Sequence, residues 1–261
     1  PYSHKENAFD LESTGLSPWH NSIAVVGLYD AETDTCAALH YPRTDGERMS
    51  GAVKRLPPEV VQWLSDERRF FVAHNAIGFD MYFLWNAGVD IFKPRWFDTL
   101  LAEGVVVKAA RRDVRVNLKS AYKRRLGKDL KKDINHETWQ APVLTIEQLE
   151  YVMHDLVYLP ELMEAQLKEV AGDSRARAMK LEQDLLPVVA RMVVNGLPVD
   201  KERLRKQMTF LGDKRHLFAE NCFETLGKRI NLNSTVQLKD AFTELGATVP
   251  NTTAATIHAV S

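Results

Sequence analysis

Apolar positions in the first hundred residues fall into short runs whose period changes from two to three or four and back. Ala8 to Glu12, Ser22 to Tyr29 and Thr35 to Tyr41 read as three strands, separated by the turn-forming stretches STGLSPW and DAETD. Connections this short suit an antiparallel meander. After Pro57-Pro58, the residues Val60, Val61 and Leu64 recur at helical spacing, and proline is tolerated in a first turn. RFFVAHN then reads as a buried strand and FDMYFLWNAG as a helix closed by Gly88. RWFD is a strand, and TLLAEGVVV a helix that Asp98 or Thr99 can cap. The order βββαβα, extended by one more strand and helix, predicts an α/β fold with a mixed sheet and flanking helices.

Farther along, Thr145 to about Val170 reads as one long helix, with Thr145 and Gln148 in capping-box spacing. AGDSRAR looks like a hinge, and beyond it the pattern is helical throughout. AMKLEQDLLPVVARMVVN ends at Gly196, a helix follows from Asp200 to about Leu226, and STVQLKDAFTELG opens on Ser234 and Gln237. The expected units are residues 1–174, mixed α/β, and 175–261, all-helical.

The 261 residues, 45% hydrophobic and 26% charged, suffice to bury a core. No apolar run reaches the roughly 18 residues that cross a bilayer, and no signal-peptide core opens the chain. The expectation is a protein that is neither membrane-bound nor secreted, working in the cytoplasm or in the replication compartment of a host. Cys36 and Cys222 lie far apart without metal-ligand spacing, so reduced thiols are expected. The formal charge of -1 hides an asymmetry. From Lys108 to Lys132, eleven basic residues face only Asp113 and Asp129, a net +9. Such a run is either a solvated face or a track for a polyphosphate backbone.

The candidate chemistry lies in carboxylates. In a strand, residues i and i+2 share a face, so Asp10 and Glu12 project together at a strand end. Adjacent carboxylates repel unless a cation neutralises them, and hard oxygen donors suit Mg²⁺ or Mn²⁺. An Asp-x-Glu triplet also arises by chance roughly once in a chain this long. In FVAHNAIGFD an apolar strand runs into Asn75, and Asp80 opens a helix five residues later. Asp80 is either a charge complementing the helix dipole or a third carboxylate of the same site, with Asn75 fixing the loop. In YVMHDLVYL, Tyr151 and Asp155 stand one helical turn apart on one face. A core tyrosine with a hydrogen-bond partner fits as well as a functional pair. His154 is off that face, His74 reads as a packed core histidine, and Trp63 and Trp85 occupy core positions of their helices.

Taken together, these motifs resemble, in order and spacing, the DEDD superfamily of 3′–5′ exonucleases. The tyrosine four residues before the last aspartate resembles that of the DEDDy branch; where the other branch carries histidine, this chain has Glu150. WFDTLLAEGVV and NLKSAYKRRLG resemble the proofreading domain of family A DNA polymerases. EQDLLPVVARMVVNGLPVD and INLNSTVQLKDAFTELG resemble the start of the polymerase thumb. The resemblance implies a ribonuclease H-like sheet followed by a thumb-like helical segment. It implies catalytic residues Asp10, Glu12, Asp80, Tyr151 and Asp155, the four carboxylates also holding two divalent cations. Asp10 would bridge both ions, Glu12 and Asp155 would complete the site of the attacking water, Asp80 would act on the second ion, and Tyr151 would orient the water. The implied substrate is a single-stranded DNA 3′ end, cut to 5′-mononucleotides.

The palm motifs and the fingers helix of those polymerases are absent, so no polymerase activity is expected; palm and fingers, in the same parent chain or a separate subunit, are implied partners. The cationic track would use Arg111, Arg112, Arg115, Lys119, Lys123, Arg124 and Arg125, with Arg175, Arg177, Lys180, Arg203, Arg205 and Lys206 beyond it. Two readings compete with a DNA exonuclease: an RNA-trimming enzyme of the same superfamily, and an inactive DNA-binding module.

Overall fold

The computed structural model describes residues 6–30, 33–41, 56–108, 114–130, 139, 141 and 143–258. Five strands form one sheet in the order β3-β2-β1-β4-β5. They are β1 (Glu6–Ser13), β2 (Ile23–Asp30), β3 (Thr35–His40), β4 (Phe70–Ala73) and β5 (Arg95–Asp98). The first three pair antiparallel through their short turns. β4 and β5 add parallel to β1 because helices intervene: α1 (Pro58–Leu64) before β4, and α2 (Asp80–Asn86) between β4 and β5. The mixed sheet expected from the element order is the one observed.

Alternation along the strands feeds two cores. Ala8, Phe70 and Val72 face a cluster with Leu118, Tyr122, Tyr151, Leu156 and Leu162. Phe9, Leu11, Phe71 and Ala73 face the other way, against Leu64, Met81, Phe83, Leu186 and Ala190. Each large side chain buried this way contributes about 1.5–3 kcal/mol. The first core is closed by α3 (Thr99–Lys108), α4 (Leu118–Leu126), α5 (Ile146–Leu156) and α6 (Leu159–Val170).

The single helix expected from Thr145 to Val170 is two. The capping box opens α5 as expected, with Thr145 N–H donating to Gln148 Oε1 at 2.9 Å and Gln148 N–H to Thr145 Oγ1 at 3.2 Å. The break at Val157-Tyr158 follows from Pro160 in the first turn of α6, which has no N–H to donate and whose ring crowds the preceding turn. Trp85, expected inward, is 37% exposed and meets Phe92 edge-on, because Met81, Phe83 and Leu84 take the buried side of α2.

The chain divides into compact units at Gly196. The first includes α7 (Arg175–Asn195), which packs on α3 and β5 and ends at Gly196 in the left-handed region, φ 65°. The second contains α8 (Lys201–Leu226), α9 (Thr235–Glu244) and α10 (Ala254–His258). Asp200 caps α8 by accepting Arg203 N–H at 3.0 Å, and Ser234 caps α9 by accepting Gln237 N–H. Cys36 and Cys222 are free thiols, as expected. No described helix is long and apolar enough to cross a membrane.

Candidate active site

Strand β1 carries Asp10 and Glu12 on the face that Ala8 turns toward the first core. Asp10 pairs with Gly27 of β2, Glu12 with Val25, and a bulge follows Glu12, ending the regular register where the chain turns away. Gly27 explains how a helix reaches the carboxylates. A Cβ there would stand 2.8 Å from both Leu156 Cδ1 and Val152 Cγ1 of α5, and 3.4 Å from the Asp10 carbonyl oxygen. Its missing side chain is the space into which α5 settles against β1 and β2.

Helix α5 brings Tyr151 and Asp155 to that face, both nearly buried. The Tyr151 hydroxyl hydrogen-bonds the Asp155 carboxylate. Burial, followed by the charges of Asp155, Glu12 and Asp10, pushes the phenol far above its ordinary range, so Tyr151 stays a neutral donor. Beneath it, the buried Tyr122 of α4 donates its hydroxyl to the Asp155 carbonyl at 3.0 Å. Tyr122 pins the helix end that holds the last carboxylate. Sequence reasoning passed over it, although a tyrosine on the apolar face of a basic helix needs a buried partner.

Asp80 approaches from the other side. β4 leaves the sheet at Ala73, Asn75 takes a left-handed conformation at φ 69°, a 3₁₀ turn spans Ala76–Gly78, and Asp80 opens α2. The Asp80 carboxyl accepts the Leu11 N–H, so it grips β1 between the two other carboxylates. It is 3% exposed, and its Oδ1 has no hydrogen-bond partner among the described residues. Burial, then the charge of Asp10, pushes Asp80 well above the usual carboxylate range.

The loop is held by Asp98. Its buried carboxylate accepts N–H bonds from Asn75 (3.0 Å), Ile77 (3.2 Å), Leu100 (2.9 Å) and Leu101 (3.3 Å). It caps α3 as expected, and also fixes the backbone on both sides of the strained Asn75. Gly78 leaves room for the Asn75 amide to fold over the turn. His74 bonds Thr99 Oγ1 at 2.9 Å, and that hydroxyl donates to the Ala73 carbonyl at 3.0 Å, a structural role.

Asp10 therefore links the two groups: its charge acts on Asp80, and together with those of Asp155 and Glu12 on Tyr151. Among the described residues, no three His, Cys, Asp or Glu side chains close around a single point that could hold an ion. The donor set nevertheless fits a hard divalent cation. It is all oxygen, the charge of half-buried Asp10 acts on the buried Asp80, and one buried Asp80 oxygen is unsatisfied.

The basic segment is used differently. Arg111 and Arg112 lie outside the described residues, while Arg115 and Lys119 are exposed. Glu103, fully buried in α3, takes Arg124 at 2.5 Å and Arg125 at 3.2 Å. Arg125 also meets Glu169, Lys123 meets Asp129, and Lys128 meets Glu161 while lying over the Tyr158 ring. Part of the +9 therefore neutralises acids inside the fold. The signal was Glu103 itself, the one acid in an apolar helix, which needs a partner once buried. Arg175, Lys180 and Lys206 likewise meet Asp173, Asp184 and Glu202.

Comparison with known proteins bears on this geometry. Residues 1–171 match the family model for 3′–5′ exonuclease. DNA polymerase I of Aquifex aeolicus (strain VF5) is 28% identical over 168 residues, 58% of this chain and 28% of the polymerase. The chain thus spans little more than a quarter of that relative. Among solved structures, Brucella melitensis NrnC bound to pGG superposes with a TM-score of 0.61 at 23% identity, covering 75% of this chain and 87% of that one. The catalytic core of RRP6 from Trypanosoma brucei gives 0.52 at 16% identity, covering 70% and 46%. These structures share the ribonuclease H-like fold. With about two thirds of its length inside the family model and a sheet of that architecture, the chain belongs to the 3′–5′ exonucleases of the DNA polymerase I type.

Proposed function

We propose that the chain is the proofreading part of a family A DNA polymerase, removing 5′-mononucleotides from single-stranded or frayed DNA 3′ ends with two divalent cations, Mg²⁺ or Mn²⁺. The observation that carries this reading is the buried Asp80, with an unsatisfied oxygen and the charge of half-buried Asp10 acting on it, beside the hydrogen-bonded Tyr151 and Asp155. Such an arrangement is costly in a purely structural core and is relieved by cations.

Asp10, Glu12, Asp80 and Asp155 would hold the ions. When bound, divalent cations supply positive charge at the scissile phosphate and lower the pKa of a water. Tyr151, kept neutral by its surroundings, donates or accepts at a fixed position and orients the nucleophile. Asn75 shapes the loop that presents Asp80. A frayed strand suits this site, because a terminal phosphodiester reaches a cleft only once unpaired. Arg115, just before α4, and Lys119, on it, are exposed and would be the cations that follow its phosphates. Residues 175–261 are read as the start of a thumb, and palm and fingers as partners. The likeness to a DNA polymerase I favours DNA.

The test is digestion of 5′-labelled single-stranded DNA and a matched RNA by the purified chain with Mg²⁺ or Mn²⁺. A ladder shortened from the 3′ end of the DNA, abolished by EDTA, is expected. Faster shortening of RNA would favour the RNA-trimming reading, and binding without cleavage the inactive module.

A further inference from the structure

We infer that Gln183 is a positioning residue of this site, acting through Asp98 on the loop that carries Asn75 and Asp80; the inference rests on the exonuclease reading. β5 is at the edge of the sheet, so among the described residues the backbone groups on its outer side have no neighbouring strand. At Asp98 a single side chain of α7 takes that place. The Asp98 N–H donates to Gln183 Oε1 at 2.8 Å, and Gln183 Nε2 donates to the Asp98 carbonyl at 3.1 Å. Both main-chain groups of one residue are thereby clasped.

Asp98 is the residue whose carboxylate holds Asn75 and Ile77 by their N–H groups. The path from α7 to the site is short: Gln183, the Asp98 backbone, the Asp98 carboxylate, the strained turn, then Asp80. The rest of α7 supports the same geometry. Leu186 and Ala190 share a face with Gln183 and are buried in the cluster that includes Ile77, Phe79 and Met81. Gln183 lies beyond residue 171, where the family match ends, so the helix after the matched segment completes the support of the loop within it.

The competing explanation is that Gln183 merely satisfies a sheet edge. Two full-chain variants separate the two. Gln183→Met keeps volume and removes both bonds; Gln183→Glu keeps an acceptor for the Asp98 N–H and loses the donor. Amide hydrogen exchange is measured residue by residue, together with kcat and KM on single-stranded DNA. For Gln183→Met, exchange at Asn75 and Ile77 should rise about tenfold, while Leu28 and Val72 in the sheet stay within about twofold. kcat should fall about tenfold with KM nearly unchanged, and Gln183→Glu should recover part of both effects. Unchanged exchange at Asn75 and Ile77, or faster exchange spread evenly over the sheet, would overturn the inference. If the wild-type chain releases no nucleotide, the exonuclease reading fails, and the exchange data still decide whether α7 governs the loop.

Discussion

The two sides of the carboxylate cluster are built on different principles. Asp10, Glu12, Tyr151 and Asp155 stand on a strand and a helix, whose repeats set the direction of each side chain, and they meet because Gly27 leaves space between them. Asp80 follows an irregular turn with a left-handed asparagine, and its place depends on hydrogen bonds converging on Asp98. A regular element is supported by many small contributions. The turn depends on a few polar bonds, several of them to one carboxylate. The first side should therefore fail by steric intrusion, and the second by small local displacements.

Asp10 belongs to both sides, since its charge acts on Asp80 and on Tyr151. Asp10→Ala should cause the largest loss, about a thousandfold or more in nucleotide release, comparable to EDTA treatment of the wild-type chain. The fold should not suffer, because removing one of two crowded carboxylates relieves repulsion. Single-turnover digestion and a thermal melt check both points. A variant that keeps a tenth of the activity would mean that the two sides do not form one site.

Legibility in the sequence divides along the same line. The alternation in NAFDLES and the i, i+4 spacing of Tyr151 and Asp155 made the β1–α5 side readable, because period and direction are linked in regular structure. The strand and helix order was readable for the same reason. What brings the pieces together was not. Gly27 looks like any glycine in an apolar strand until the helix packed on it is known. Asp98 reads as a helix cap, which it is, but its two bonds to the turn connect residues more than twenty apart. The basic segment misled for a related reason: the acid that binds Arg124 and Arg125 sits in α3, about twenty residues earlier. Long-range polar partners leave no periodicity to read.

Intrusion on the regular side is tested by Gly27→Val. Its methyl groups must displace Leu156 and Val152, whose side chains already stand 2.8 Å from a Cβ at that position. Overpacking of this kind costs about 1–3 kcal/mol, a fall of several degrees in melting temperature. Moving α5 away from β1 by about an ångström should slow cleavage about a hundredfold. Lower melting temperature with full activity would show that Tyr151 and Asp155 need not be held against Asp10.

Tyr151→Phe leaves the helix in place and removes only the hydroxyl that bonds Asp155. A hydrogen bond to a charged group is worth about 1.5–3 kcal/mol, so kcat should fall about ten- to a hundredfold and remain measurable. Because the phenol is held neutral, the variant should keep the wild-type pH dependence between pH 6 and 9, a range the group does not titrate in. A changed profile would make Tyr151 a proton-transfer group rather than an orienting one.

The smallest effect is expected where the irregular side is touched most gently. Gly78 does not adopt a left-handed conformation, so alanine is compatible with its backbone, and the three atoms nearest the added methyl all belong to the Asn75 amide at the end of a short side chain. The amide can rotate away at a cost of about 0.5–1.5 kcal/mol, without breaking the Asn75 and Ile77 N–H bonds to Asp98. Gly78→Ala should therefore lose about two- to fivefold in kcat, with stability nearly unchanged. If it loses more than Gly27→Val, the Asn75 side chain is placing more than its own loop. The irregular side, not the strand and helix, would then set the tighter tolerance of the site.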